Sequence, residues 1–356
     1  MASMQQECAP TACPWVQTPL IESAALSQAA GCRIFLKLEN LQPSGSFKSR
    51  GIGNYCQLMA KPAPQETHFY ASSGGNAGLA CVVAAKSLNH KATVVVPTTT
   101  KPIMIAKIMA AGADNVIQHG NSVGEADTYL KSEILPHAKN AVYVPPYDHP
   151  YIWQGHSSLI HELTHQTTTP PDAIICSVGG GGLLTGLIQG SDQAGANWSS
   201  VPILAVETQG AHALSASLKA QKLVTLPKIT SLAASLGAST VAEKAFEYAQ
   251  RPNVRSIVLS DAEACMGCWR LADDSLMLVE PACGVNVALC YDGRLGKALG
   301  KKITPETRVV IVLCGGSNVT LDMLEKWRKE YGHIEKGLPV NGEVPSSWTG
   351  PALARL

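Results

Sequence analysis

The chain has 356 residues, 46 % of them hydrophobic, and a formal net charge of +1. That much apolar material supports a sizeable core in one or two domains, and a charge so near zero offers no field for nucleic acid or an anionic membrane surface. No apolar run reaches membrane-spanning length, residues 1–17 lack the basic-then-apolar order of a secretory leader, and the 11 cysteines are an odd number scattered through apolar segments. Reduced thiols and a cytoplasmic location are the expectation.

In chain order, the first informative element is the apolar run Ile34 to Leu41. Lys37 alternates there with Leu36 and Leu38, so its side chain should point away from whatever Leu36 and Leu38 face. The run leads into Pro43-Ser44-Gly45-Ser46-Phe47-Lys48-Ser49-Arg50-Gly51. Lys48 is read here as a lone lysine in a loop of small residues, with no amphipathic helix face to decorate. An amine so presented suits nucleophilic or Schiff-base chemistry if burial lowers its pKa, and pyridoxal 5′-phosphate is the cofactor that most often uses such a lysine. A solvated loop lysine is the plainer alternative.

Next, a short strand at 68–72 delivers Ser72-Ser73-Gly74-Gly75-Asn76-Ala77-Gly78 to the start of a helical pattern at 79–88. Unpaired N–H groups and hydroxyls at a helix start can hold an anion, here of a size to suit a carboxylate. Further strand candidates fall at 92–97, 115–119, 141–144, 173–178, 203–207, 256–259 and 308–313, with helices between most of them. This β-α alternation argues for a parallel α/β architecture with its sites at the carboxyl ends of strands. The strand at 173–178 ends in Ser177-Val178-Gly179-Gly180-Gly181-Gly182-Leu183, where four glycines without Cβ atoms let several amides converge on one phosphate. No G-x-G-x-x-G spacing is present, which disfavours a dinucleotide. The Cys265-x-x-Cys268 pair lies in a helical pattern and has no second pair to complete a zinc site. The last strand presents Cys314, then Gly315-Gly316-Ser317-Asn318; as a free thiol at a strand end, Cys314 alone would read as core.

Together with Thr18-Pro19-Leu20, Ile152-Trp153-Gln154-Gly155-His156, Ala205-Val206-Glu207-Thr208-Gln209-Gly210-Ala211-His212 and Glu280-Pro281-Ala282-Cys283-Gly284, these segments resemble the fold-type-II pyridoxal-phosphate enzymes. Within them the chain is similar to the L-serine/L-threonine dehydratases of the compact, animal-type serine dehydratase group. The resemblance implies a tryptophan synthase β-like fold, two open parallel-sheet domains with the cofactor in the cleft between them. It places a large domain at 1–42 and 148–331, a small domain at 43–147 and an irregular tail at 332–356.

It also implies roles. Lys48 would carry the cofactor and then remove the substrate Cα proton, with Phe47 packed near the pyridine ring. Ser73, Gly74, Asn76 and Ala77 would bind the substrate carboxylate, the Asn76 amide also reaching the cofactor's ring oxygen. Gly179, Gly180, Gly181, Gly182 and Leu183 would cradle the phosphate, and Cys314 would face the pyridine nitrogen. Glu207 with carbonyls near Ala211, Leu236 and Ala238 resembles a monovalent-cation site suited to potassium. Tyr147, Asp148 and His149 are expected to line the substrate loop, and Ser235 to lie beside the cofactor; His156 and Glu280 read as buried polar residues.

The implied reaction is β-elimination of L-serine or L-threonine to a keto acid and ammonia by a homodimer. A thiol with a reference pKa of about 8.5 leaves the ring nitrogen largely unprotonated and so favours elimination over transamination. Gly74 has nothing to donate where serine racemases of this fold carry a serine, so racemisation should be poor. The length leaves no room for the regulatory domain of the biosynthetic threonine dehydratases. A β-replacement enzyme of the cysteine synthase type and a serine racemase stand as alternatives on the same fold.

Overall fold

The computed structural model describes residues 13–334 except Pro64, so the tail from Glu335 onward lies outside the described residues. Ten strands form two sheets: β1 (Leu20–Glu22), β2 (Arg33–Lys37), β3 (His68–Ala71), β4 (Lys91–Val96), β5 (Asn115–Gln118), β6 (Ala141–Tyr143), β7 (Ala173–Ser177), β8 (Ile203–Thr208), β9 (Val254–Leu259) and β10 (Arg308–Val312). The larger sheet has the order β1-β2-β10-β7-β8-β9 and the smaller β5-β4-β3-β6. Every pairing is parallel except β1 with β2.

The pattern of side chains explains this. β7 is buried at all five positions and β8 at all six, as continuous apolar runs must be when helices cover both faces of a parallel sheet. All eight strand candidates form. β1 was not foreseen: three residues, mostly exposed, carry no alternation to read, and antiparallel pairing on β2 covers an otherwise open edge. Among the described residues no helix is long and apolar enough to cross a membrane.

Lys48 corrects the sequence reading. It is the first residue of a helix, Lys48–Met59, and not a loop residue. Glycines, serine and asparagine in that stretch disguised a helix whose propensity is poor and whose stability comes from packing. The helix is buried at Ser49, Arg50, Gly51, Ile52, Gly53, Tyr55 and Cys56. Gly51 and Gly155 permit this: a Cβ at Gly155 would stand 2.3 Å from the Arg50 carbonyl oxygen, so the helices Lys48–Met59 and Pro150–Gln166 touch backbone to backbone.

Arg50, two residues beyond Lys48, is fully buried. Its guanidinium forks onto Glu39, with Nε and Nη2 at 2.7 and 2.8 Å, and onto Glu162, with Nη1 and Nη2 at 2.6 and 2.8 Å. Lys37, equally buried, donates to Glu162, to the Thr18 carbonyl and to Gln166. Two cations thus meet two carboxylates. Burial works to raise the Glu162 pKa, but the hydrogen bond and charge of Arg50 prevail and hold it below its usual range, whereas burial pulls Lys37 down. As expected, Lys37 points away from the lysine segment's cleft. Removing one partner strands buried charge at a cost of about 3–5 kcal/mol. Arg50→Leu is therefore expected to lower unfolding free energy by about that amount, read from urea denaturation, and to do so far more than Arg33→Leu, whose pairing with Glu22 is exposed.

Candidate functional site

The carboxyl ends of β2, β3, β7 and β10 converge on one cavity of about 340 Å³. It is lined by Lys48, by Ser72 to Ala77, by Gly179 to Leu183 and by Cys314, which brings together all four segments singled out from the sequence. A cavity of this size suits a cofactor-sized ligand.

Backbone contacts fix the lysine relative to Cys314. Phe47 N–H donates to the Cys314 carbonyl at 3.1 Å and Gly316 N–H to the Gly45 carbonyl at 2.9 Å. Gly315 and Gly316 have φ of +81° and +114°; a Cβ at Gly315 would stand 2.3 Å from the Gly45 carbonyl oxygen and one at Gly316 2.1 Å from the Glu280 carboxyl carbon. No other residue type fits this crossing. The Lys48 ammonium donates to the Pro146 carbonyl and lies 5.4 Å from the Phe47 ring centroid. Burial lowers its pKa to about 8, and its place at a helix start acts in the same direction.

Two further helix N-termini face the cavity. The helix Asn76–Ser87 starts after Gly75, with Ser73 Oγ accepting from the Gly75 N–H at 3.3 Å. The helix Gly182–Gln193 starts after Gly181, whose φ of +89° needs glycine. The first amides of each have no partner within their helix. Gly180 lies against the Tyr147 ring, which a Cβ would meet at 2.3 Å. Tyr147 lines the cavity as expected; His149 does not join it, instead capping the helix Pro150–Gln166 through its ring nitrogen.

Asn76 ties the two sides together. Its Nδ2 donates to Glu280 Oε1 at 2.7 Å and to Ser235 Oγ at 3.2 Å, and its Oδ1 accepts from Ser317 N–H at 3.0 Å. Burial raises the Glu280 pKa against the hydrogen bonds it accepts. Cys314 Sγ sits 3.4 Å from Ser177 Oγ and 3.8 Å from Asn286 Nδ2. Hydrogen bonding from the Cys283 thiol holds Cys314 below its ordinary value, while burial drives Cys283 well up. Phe47 packs on His156, ring centroids 5.1 Å apart; His156 is fully buried, and burial with the neighbouring charges of Lys48 and Arg50 keeps it neutral.

The proposed cation ligands are less clearly one site. Both Glu207 oxygens accept amides, from Leu214 and Ser215 at 2.8 Å each, whereas Leu236 and Ala238 line the cavity beside Gly179. Burial outweighs those two bonds and raises the Glu207 pKa to about 8. The sequence reading missed the 97–101 segment, where Pro97, Thr99, Thr100 and Lys101 also line the cavity. The signal was available, since this segment follows the carboxyl end of β4.

A phosphate-bearing ring cofactor fits these residues. The glycine cradle excludes side chains from the Gly182–Gln193 helix start, the Lys48 amine reaches the cavity, and the buried Ser46 Oγ and Asn318 Oδ1, both on its wall, have no protein partner. Comparison with known proteins agrees: residues 14–315 match the family described as pyridoxal-phosphate dependent enzyme, and the chain belongs to that family, with the fold-type-II architecture expected of it. A human protein named serine dehydratase-like is 46 % identical over 90 % of this chain and 95 % of its own. The catabolic L-serine/threonine dehydratase of Saccharomyces cerevisiae is 42 % identical over 87 % of this chain and 89 % of its own. Among solved structures, a fungal L-serine ammonia-lyase from Rhizomucor miehei superposes with a TM-score of 0.83 at 38 % identity, covering 89 % of this chain and 99 % of that one.

Gly180→Asp is expected to lower bound pyridoxal phosphate sharply, since it sets a carboxylate against the anion cradle and displaces Tyr147. Gly75→Ala is the control: a Cβ there meets nothing closer than 3.8 Å. Cofactor content measured beside far-ultraviolet melting decides; equal loss of fold and cofactor in Gly180→Asp would make the glycine loop a structural turn only.

Proposed function

We propose that this protein is a lyase that eliminates water from L-serine, and from L-threonine, giving pyruvate or 2-oxobutanoate and ammonia. The observation that carries the reading is the convergence of the Lys48 amine, two helix N-termini and the Cys314 thiol on one cavity, together with relatives named for this activity. Pyridoxal phosphate, when bound, supplies an electron sink that weakens the substrate Cα–H bond.

The chain's residues supply the rest. The amides of Gly179 to Leu183 and the positive end of the helix they open bind the phosphate. Ser73, Gly74, Asn76 and Ala77 bind the substrate carboxylate at the second helix start. The Asn76 side chain also bonds Glu280, Ser235 and Ser317, which ties this helix start to the opposite wall of the cavity. Lys48 accepts the Cα proton; with a pKa near 8 the neutral amine is accessible at physiological pH, which an ordinary lysine would not allow. Loss of that proton and of the β-hydroxyl together yields water and an enamine, whose hydrolysis releases the keto acid and ammonia. Cys314, on the cavity wall, is the residue that would face the cofactor's ring nitrogen, and a thiol there in place of a carboxylate would not press a proton onto it.

Residues 1–42 with 148–331 form the larger unit in this reading and 43–147 the smaller, which holds β3 to β6, with 332–356 as a tail. A potassium ion at Glu207 and the Ala211, Leu236 and Ala238 carbonyls belongs to the same proposal: a carboxylate whose charge is so disfavoured by burial is stabilised by a hard cation. So do a homodimer and a cytoplasmic location, the latter supported by ten described cysteines without disulfide partners.

Purified protein given L-serine should release pyruvate and ammonia in equal amounts, and Lys48→Ala should abolish both. A new amino acid formed on adding sulfide, in place of keto acid, would favour β-replacement instead. The rate at which apoprotein captures pyridoxal phosphate should rise with pH and level off above about 8, because only the neutral amine attacks. An increase continuing toward pH 10.5 would show an ordinary lysine.

Cys314→Asp should shift the products. A carboxylate beside the ring nitrogen favours its protonation and lengthens the life of the deprotonated substrate. Recovered serine from deuterated water should then carry more Cα deuterium per pyruvate formed than with the parent protein.

A further inference from the structure

Gly74 stands within the segment proposed to bind the substrate carboxylate, and the space over it is not open. A Cβ at Gly74 would lie 2.6 Å from Thr100 Oγ1, 2.6 Å from Thr100 Cγ2 and 3.2 Å from Thr100 Cβ. The side chain that residue 74 lacks is thus replaced by one reaching over from the loop after β4. Thr100 is held there by its own backbone, its N–H donating to the Pro97 carbonyl at 3.0 Å, and β-branching leaves it few rotamers. It is half-buried and lines the cavity alongside Gly74, Lys48 and Cys314.

We propose that Thr100 is a specificity-determining residue, the part of the cavity wall that limits the size of the group on the substrate's β-carbon. This deepens the proposed dehydratase reading and rests on it. A substrate anchored by its carboxylate at Ser73 to Ala77 has its β-carbon only two bonds from the anchored carbon. A methyl added at that carbon therefore falls within van der Waals reach of the wall that Gly74 and Thr100 build together. L-Serine has no such methyl and L-threonine has one. The bulk of Thr100, rather than its hydroxyl, decides between them, because Oγ1 and Cγ2 stand equally close to the Gly74 position.

The test compares Thr100→Ala, which removes the bulk, with Thr100→Val, which keeps it and removes the hydroxyl. For each holoprotein the ratio of L-threonine to L-serine is measured twice, as kcat/KM for ammonia release and as dissociation constants from spectral titration. Thr100→Ala should move both ratios toward threonine by roughly tenfold, the discrimination one methyl group commands in a pocket, and Thr100→Val should stay within about twofold of the parent. A ratio unchanged in Thr100→Ala, or shifted equally in Thr100→Val, overturns the proposal. Absence of ammonia release in the parent would overturn the dehydratase reading instead, and the titration ratio would still decide on Thr100. Packing is checked separately by melting temperature: Gly74→Ala should melt below the parent, and adding Thr100→Ala should recover most of the loss. Two independent, additive losses would show that Thr100 does not fill the space over residue 74.

Discussion

Burying Arg50 beside Lys48 sets the terms for the rest of the structure. A guanidinium with no exposure must be met by carboxylates on rigid supports, and it is: Glu39 follows β2, and Glu162 lies in the helix Pro150–Gln166. Thr18, bonded to Glu39 at 2.6 Å, brings in the chain before β1. Three separate stretches are thus clamped onto the first turn of the Lys48–Met59 helix. That helix has little intrinsic reason to form, with two glycines in its first six residues, so its start is positioned by charge and not by propensity. Replacing the whole ion network by apolar residues could pack as well or better; what the network adds is directionality, since a forked guanidinium donates to its two carboxylates in one plane.

The same placement buries the Lys48 amine, and that burial brings its pKa down to about 8. Three helix starts, at Lys48, Asn76 and Gly182, bring their positive ends toward one cavity. Each favours an anion and disfavours an ammonium. The unpaired first amides of the Asn76 and Gly182 helices favour an anion where the glycine loops admit one, while burial is what lowers the pKa of the Lys48 amine. Arg50, though closer along the chain, adds little to this because its charge is already answered by Glu39 and Glu162.

How much of this could be read from sequence follows from how local each signal is. The eight strand candidates and the glycine cradle at Gly179 to Gly182 were legible because each is a short local pattern. The helical state of Lys48 was not, because its formation depends on Arg50 finding partners at positions 39 and 162, which no window contains. β1 was hidden by its three-residue length. The 97–101 segment, with Thr100 and Lys101, was overlooked because its residues are unremarkable in composition; only the parallel topology, which sends every strand end to the same side, marks it. The likeness to dehydratases supplied what periodicity could not, the order of the loops and an expected role for Cys314.

Asn76 shows the limit of assigning roles by segment. Besides its expected place beside substrate and cofactor, its side-chain amide bridges the two halves of the cleft, reaching from the smaller to Glu280, Ser235 and the Ser317 amide, all in the larger. A buried carboxylate such as Glu280 is costly unless it is hydrogen-bonded, and the donors that satisfy it are Asn76 and the Asn318 amide. Those bonds join the helix start proposed to hold the substrate to the loop that carries Cys314. If the smaller sheet moved relative to the larger during turnover, it would have to break the Asn76 bonds and leave Glu280 with fewer donors. A polar cross-link thus spans the cleft beside the cavity that Gly74 and Thr100 line.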